Sequence, residues 1–159
     1  MESEPLPELT TSALWDLLAT QSQGVLATIK RDGRPQLSNI AYHYDPATRA
    51  LQTRAATFRA KAKNMQRDPR VSIHVSSPDF RLWVVAEGIA QLDEPVRNHQ
   101  DEIGQRMIAY IRMGYPDLTD AELDEHMEQF PLLDRMLIMI TVDRIYGGNG
   151  SSAMGNSAS

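Results

Sequence analysis

Along most of the chain, apolar and polar positions alternate with the two-residue period of β-strands. Short turns, not helical crossovers, join most of these stretches. Asp32-Gly33 is a strong hairpin signal because its residues readily adopt positive φ. The pattern predicts a mainly β fold with peripheral helices, built as an antiparallel barrel of six strands. Those strands are expected at residues 24–30, 35–44, 50–53, 71–75, 83–92 (interrupted at Gly88) and 137–145.

Helical patterns occupy the remaining stretches. Thr10, Thr11 and Ser12 are suitable caps for a first helix that ends near Gly24. Further helices are predicted at 58–67 with Thr57 as cap, at 96–113 and at 119–129. We divide the chain into a flexible N-terminus at 1–10, one domain at 11–147, and a disordered Gly/Ser-rich tail at 148–159.

Composition narrows the functional classes. The 159 residues, 42% of them hydrophobic, fit one domain with its own core. With no cysteine, disulfides, thiolate metal sites and thiol nucleophiles are excluded. The N-terminal stretch lacks a basic region followed by an apolar one, and no apolar run approaches the roughly 20 residues of a membrane span. We therefore expect a cytoplasmic protein that does not bind a membrane.

Charge is unevenly distributed. The net charge is −5, yet Lys30 to Arg70 contains ten of the 16 basic residues and three of the 21 acidic ones. This asymmetry indicates an anionic partner for the basic segment, although ordinary solvated charges would give the same count. Since the whole chain is acidic, a small anion is a better candidate than a nucleic acid.

Searches for catalytic motifs find no nucleotide-binding glycine motif and no nucleophile elbow. The histidines show no metal-ligand spacing with one another, so we expect no metal site and assign no catalytic residue. They are His43, His74, His99 and His126.

The segment Thr57 to Asn64 carries the clearest sign of function. It follows a strand and opens a helix, so its first backbone N–H groups can bind an anion. Arg59 and Lys61 lie where the helix dipole disfavours cations, and a bound phosphate would reverse that penalty. A solvated basic helix face is the alternative, because Arg59, Lys63 and Arg67 follow a four-residue spacing.

Short polar side chains at Thr28, Ser38 and Asn39 lie on predicted strands and can hydrogen-bond a heterocycle. Ordinary exposed strand positions explain them equally well. Trp83 can stack on a ring, but we favour a place in the core or at a subunit interface.

These residues resemble a known family. The block Gly24-Val-Leu-Ala-Thr-Ile-Lys-x-Asp-Gly-Arg-Pro-Gln-Leu-Ser-Asn39 is followed by Arg59-x-Lys61-x-x-Asn64, Arg-Asp-Pro-Arg70 and Ala86-Glu-Gly88. Together they resemble the pyridoxamine 5'-phosphate oxidase-like, FMN-binding split β-barrel proteins, and within them the actinobacterial branch that depends on the deazaflavin coenzyme F420. The resemblance covers roughly Thr11 to Gly147.

The resemblance implies a homodimer with two cofactors at the subunit interface. It implies that Arg59 and Lys61 bind the cofactor phosphate with help from Thr57 and Asn64. The remaining implied contacts are Leu37, Ser38 and Asn39 along the ring system and Thr53 and Arg54 near the ribityl chain.

The function so implied is an oxidoreductase that binds coenzyme F420 and transfers hydride to a small unsaturated substrate. The basic residues Arg31, Arg34 and Lys63 suit the acidic polyglutamyl tail of that coenzyme. Two alternatives stay open: an FMN-dependent oxidoreductase of the pyridoxamine phosphate oxidase type, and a carrier that binds a flavin or deazaflavin without turnover.

Overall fold

The structure, a computed structural model, describes residues 9–129 and 134–150. The helices of this part are α1 (Thr11–Thr20), α2 (Ala60–Arg67), α3 (Glu102–Gly114) and α4 (Asp120–Gln129). The strands are β1 (Gln23–Ile29), β2 (Pro35–Ala41), β3 (His43–Asp45), β4 (Ala50–Ala56), β5 (Arg70–Ser76), β6 (Leu82–Leu92) and β7 (Arg135–Asn149).

All described strand pairs are antiparallel, and the sheet order is β2-β1-β5-β6-β7-β4-β3. The outermost strands, β2 and β3, are separated in the chain only by Tyr42. The sheet must therefore curl until its two edges meet, which makes it a barrel. The predicted mainly β, antiparallel barrel with peripheral helices is confirmed.

The barrel has seven strands where six were predicted, because the stretch 35–44 is divided at Tyr42. The Tyr42 N–H donates to the Ser22 carbonyl (2.9 Å), and its hydroxyl donates to the Leu18 carbonyl (2.7 Å). These bonds hold Tyr42 in the core while β2 pairs with β1 and β3 pairs with β4.

Two glycines explain features that the sequence pattern indicated. Gly33 has a φ of 83°, as the Asp-Gly turn between β1 and β2 requires. The predicted interruption of β6 is a bulge between Glu87 and Gly88. A Cβ at Gly88 would lie 2.2 Å from the Thr141 carbonyl oxygen, so no larger residue fits there without a backbone shift.

The main core fills the barrel, and α1 covers it by packing against β3, β5, β6 and β7. From α1, Leu14, Leu17 and Leu18 are buried, and each such side chain contributes roughly 1.5–3 kcal/mol. A second cluster joins α3 and α4 to the outer surface of the sheet at Leu137. The helices are thus attached to the barrel at two separate places.

Several predicted boundaries differ from the observed ones. Helix α3 begins at Glu102 and not at residue 96, since Asp101 caps it and the Val96 N–H donates to the Arg135 carbonyl. Strand β7 continues to Asn149, so the predicted tail begins too early. Residues 151–159 of that tail and residues 1–8 of the predicted flexible N-terminus lie outside the described residues.

Candidate cofactor site

An open groove of about 720 Å³ lies where β2, β4 and the beginnings of α2 and β7 converge. We call it the cationic groove. Its lining residues are Gln36, Ser38, Asn39, Arg54, Ala55, Ala56, Phe58, Arg59, Ala60, Lys61 and Arg135. The volume lies within the roughly 300–1,000 Å³ of small-molecule sites.

Four of these lining residues are cations: Arg54, Arg59, Lys61 and Arg135. None of the groove-lining residues in the described chain is a carboxylate. The Arg59 guanidinium carbon also lies 5.4 Å from the centroid of the exposed Phe58 ring. The groove is therefore a region of concentrated positive charge with an aromatic ring at its border.

The pKa values of two of these cations reflect this crowding. Burial, followed by repulsion from Arg59, lowers the pKa of Lys61. Burial also lowers the pKa of Arg135, with further repulsion from Arg54 and Arg59. Each shift means that the folded protein disfavours the charged form, so an anion placed among these side chains would relieve the penalty.

Helix α2 adds backbone donors to the same place. Its N-cap is Arg59, which makes no side-chain capping bond, and its first turn has no acidic residue. The Lys63 N–H makes the first intrahelical bond, to the Arg59 carbonyl (3.2 Å), so three amides precede it. The prediction that Thr57 caps this helix is wrong, because the helix begins at Ala60 with Arg59 as its N-cap and Thr57 lies two residues before that cap. The Thr57 N–H donates to the Asp134 carbonyl (2.8 Å).

A phosphorylated cofactor fits these donors. Backbone amides at a helix start and surrounding guanidinium and ammonium groups together make a phosphate site. Arg54 also lines the groove, and its Nη1 atom is buried without a hydrogen-bond partner in the described structure. Ser38 and Asn39 add hydroxyl and amide groups to the same lining, and such groups can hydrogen-bond a ring system.

The groove brings together some of the predicted site residues and leaves others outside. Ser38, Asn39, Arg54, Arg59 and Lys61 line it. The predicted residues that do not line it are Leu37, which is 65% exposed, Thr53, whose hydroxyl donates to the Ala41 carbonyl, Thr57, and the buried Asn64.

Asn64 lies one turn beyond Lys61 on α2, and its side chain is buried against the sheet. Its Nδ2 donates to Thr28 Oγ1 (3.0 Å) and to Gln36 Oε1 (3.3 Å), and its Oδ1 accepts from Arg67 Nη2 (3.1 Å). Thr28, itself fully buried, donates from its Oγ1 to Gln36 Oε1 (3.2 Å). These bonds tie α2 to β1 and β2, which holds the helix start beside the groove.

Sequence reasoning missed Arg135. Its backbone pairs with Ala56 across β4 and β7, which brings it to the groove from a distant part of the chain. No local pattern around Arg135 signals this, because the contact depends on the register of two strands far apart in sequence. Gln36 and Phe58 were also missed, although both adjoin residues that were predicted.

Among residues 9–129 and 134–150, no group of three or more histidine, cysteine, aspartate or glutamate side chains is arranged to hold a metal ion. None of the helices there has the length and apolar character needed to cross a membrane.

Fold and groove together define a split β-barrel protein with a cationic groove at the start of α2. The sequence model of the pyridoxamine 5'-phosphate oxidase family matches residues 10–147, nearly the whole described chain. The protein therefore belongs to the pyridoxamine 5'-phosphate oxidase family of split barrels.

Solved structures share this fold. A conserved hypothetical protein, Rv2991 from Mycobacterium tuberculosis, is 22% identical with a TM-score of 0.65, covering 95% of this chain and 92% of that one. An F420 reductase is 23% identical with a TM-score of 0.62, covering 89% and 98%. An FAD-binding protein from Mesorhizobium loti is 21% identical with a TM-score of 0.56, covering 87% and 94%.

Proposed function

We propose that this protein is an oxidoreductase that binds coenzyme F420 with the cofactor phosphate in the cationic groove. The observation that carries the proposal is the meeting of four cations and the uncapped start of α2, with no carboxylate among the lining residues. Crowding of these cations lowers the pKa of Lys61 and Arg135, and a bound anion would offset that repulsion.

The protein's residues have binding and orienting roles in this proposal. Arg59, Lys61 and Arg135 hold the phosphate, together with the first amides of α2. Ser38 and Asn39 hydrogen-bond the ring system. The deazaflavin, when bound, supplies hydride chemistry for a small unsaturated substrate, so the chain needs no nucleophile of its own.

The choice of coenzyme F420 over FMN rests on charge outside the groove. Arg31, Arg34 and Lys63 are all exposed and would suit an acidic tail. An F420 reductase among the similar structures agrees with this choice, and an FAD-binding protein keeps a flavin as the second candidate.

A homodimer is the second part of the proposal. Leu37 on β2 is 65% exposed and Phe58 beside the groove is 67% exposed, and both would be covered by a second subunit. Sedimentation at micromolar concentration should give twice the chain mass of 17.8 kDa. A monomer that binds cofactor with full affinity would contradict the proposed homodimer but not the assignment of the cofactor phosphate to the cationic groove.

Titration of the purified protein with coenzyme F420 and with FMN tests cofactor binding. Quenching of each cofactor's fluorescence gives its dissociation constant, and F420 should bind more tightly. Adding salt should weaken F420 binding more than FMN binding, because the polyglutamyl tail adds screened contacts. Failure of both cofactors to bind at micromolar concentration would reject the proposed function.

Turnover separates an enzyme from a carrier. Reduced F420 should be oxidised when the protein is supplied with a panel of electron-poor alkenes, which the cofactor absorbance reports directly. Tight binding of F420 without oxidation by any acceptor would favour a carrier.

A further inference from the structure

A second pocket, of about 460 Å³, lies between the end of α3 and strand β3, and it shares one wall residue with the cationic groove. We call it the Tyr110 pocket. The residues that matter for the argument are His43, Arg54, Tyr110, Met113, Gly114 and Tyr115. Nothing in the proposed cofactor contacts uses this pocket.

Arg54 is the shared wall residue, and it is the only arginine or lysine lining the Tyr110 pocket within the described chain. Its Nη1 atom is buried and has no hydrogen-bond partner there. A buried guanidinium nitrogen without an acceptor is costly, so an acceptor from a ligand would stabilise the arrangement. The planar guanidinium matches the two oxygens of a carboxylate.

The rest of the pocket is aromatic and weakly polar. His43 and Tyr110 meet edge to face with ring centroids 4.9 Å apart. Burial lowers the pKa of His43 and raises the pKa of Tyr110, which favours the neutral form of both rings. The pocket thus offers one cation, two neutral hydrogen-bonding rings and the apolar side chain of Met113.

Gly114 keeps the edge of His43 open to this pocket. A Cβ built at Gly114 would lie 3.4 Å from both Cε1 and Nε2 of His43, an ordinary contact with no backbone clash. Gly88, by contrast, is needed by the fold because its Cβ would meet a backbone oxygen at 2.2 Å. A larger side chain at position 114 is therefore compatible with the fold and would cover the histidine edge.

We propose that the Tyr110 pocket binds the substrate, and that the substrate is a compact planar carboxylate whose charged group contacts Arg54. This inference rests on the proposed function, because the shared Arg54 places the pocket beside the cofactor groove. A single cation and flanking rings suit a carboxylate on a flat apolar body. The four cations of the groove suit the more highly charged phosphate.

Benzoate serves as the probe, and benzamide serves as its neutral counterpart of the same shape. NMR titration of the dimer, with and without bound F420, should show saturable benzoate binding that shifts the Met113 methyl and His43 ring signals. Benzamide should bind at least about tenfold more weakly, the equivalent of about 1.4 kcal/mol. Equal affinity for the two probes, or no saturable benzoate binding, would overturn the inference.

The variant Gly114→Leu changes the Tyr110 pocket and leaves the cationic groove as it is, whereas a substitution of Arg54 would change both. It should reduce benzoate affinity at least about tenfold while F420 affinity stays unchanged. Gly150→Leu is the matched control, because a Cβ there has no neighbour closer than 3.8 Å, and it should bind benzoate normally. Unaltered benzoate binding by Gly114→Leu would overturn the inference, and thermal melting verifies that both variants fold.

The same titrations separate this inference from the proposed function. If F420 and FMN fail to bind but benzoate binding is lost in Gly114→Leu, the cofactor assignment fails and the carboxylate site stands. If F420 binds to the wild type and benzoate does not, the substrate pocket fails and the cofactor groove stands.

Discussion

The start of helix α2 and its following turn have different tasks. The N-cap Arg59 and Lys61 line the cationic groove, where charges crowd together without a carboxylate. Asn64, one turn beyond Lys61, is 7% exposed and hydrogen-bonded to Thr28 and Gln36. The helix start presents cations to the groove, whereas the hydrogen bonds of the Asn64 side chain are satisfied by the protein.

One sequence motif can therefore contain both residues that line the groove and a residue that fixes the helix to the sheet. Arg59-x-Lys61-x-x-Asn64 was interpreted as a single set of phosphate contacts. In the structure, the residue nearest the helix interior anchors the helix while the two at its start line the groove. Loss of affinity and loss of stability should therefore separate along the motif.

The largest expected effect is on affinity. Lys61→Ala should weaken cofactor binding by about 1.5–3 kcal/mol, because a hydrogen bond to the charged phosphate is lost. The fold should survive, because burial and Arg59 already disfavour the Lys61 charge in the free protein. Fluorescence titration with FMN measures the affinity, and urea unfolding verifies the fold.

Lys63→Ala is the matched control for that change. It removes the same charge from the same helix, but Lys63 is exposed and does not line the groove. FMN is used here because it has no acidic tail to contact Lys63. Equal losses of FMN affinity in the two variants would mean that only the net charge matters.

The next effect is on stability. Asn64→Ala should lower the free energy of unfolding by about 1–3 kcal/mol, since the Thr28 hydroxyl and Gln36 carbonyl lose a buried donor. Urea unfolding without cofactor measures it, with Lys63→Ala as reference. A variant as stable as the wild type that binds FMN poorly would place Asn64 among the ligand contacts after all.

A comparable test concerns Arg135, which reaches the groove from β7. Arg135→Gln should reduce FMN affinity about tenfold, the lower end of the value for a charged hydrogen bond. Urea unfolding of the cofactor-free variant verifies that it still folds. Normal FMN binding by this variant would restrict the phosphate site to α2.

The smallest effect is the pH dependence of binding. Burial and Arg59 lower the pKa of Lys61 in the free protein, and a bound phosphate should raise it by favouring the ammonium. The cofactor affinity should therefore be constant at pH values below the pKa of Lys61 in the free protein. It should fall as the pH rises from that pKa to the higher pKa of Lys61 in the complex. Lys61→Arg should remove this alkaline decline, and an identical decline in both proteins would assign it to another group.

Much of the fold follows from local pattern. The alternation in β1 and the turn at Gly33 depend on neighbouring residues, and the sequence predicts both. At Gly88 the sequence predicts an interruption, whereas β6 continues through Gly88 and only its pairing with the distant β7 shifts there. The division at Tyr42 could not be predicted, because both sides of it look like strand. Only the closing of the barrel decides that β2 and β3 pair with different partners.

The residues of the candidate site likewise fall into two groups, those that local sequence predicts and those that it does not. Arg59 and Lys61 were predicted because an unfavourable charge at a helix start is visible in the sequence. Arg135 was missed because strand register brings it to the groove. Thr57, whose N–H donates to the distant Asp134 carbonyl, lies two residues before the observed N-cap Arg59 and therefore does not cap the helix. Contacts between distant segments therefore decide what the local pattern leaves open.

A crystal structure of the protein with coenzyme F420 tests the central claim most directly. The phosphate should lie in the cationic groove, with its oxygens about 3 Å from Lys61 Nζ and from an Arg59 guanidinium nitrogen. A coenzyme whose phosphate lies elsewhere, with both side chains directed into solvent, would contradict the account.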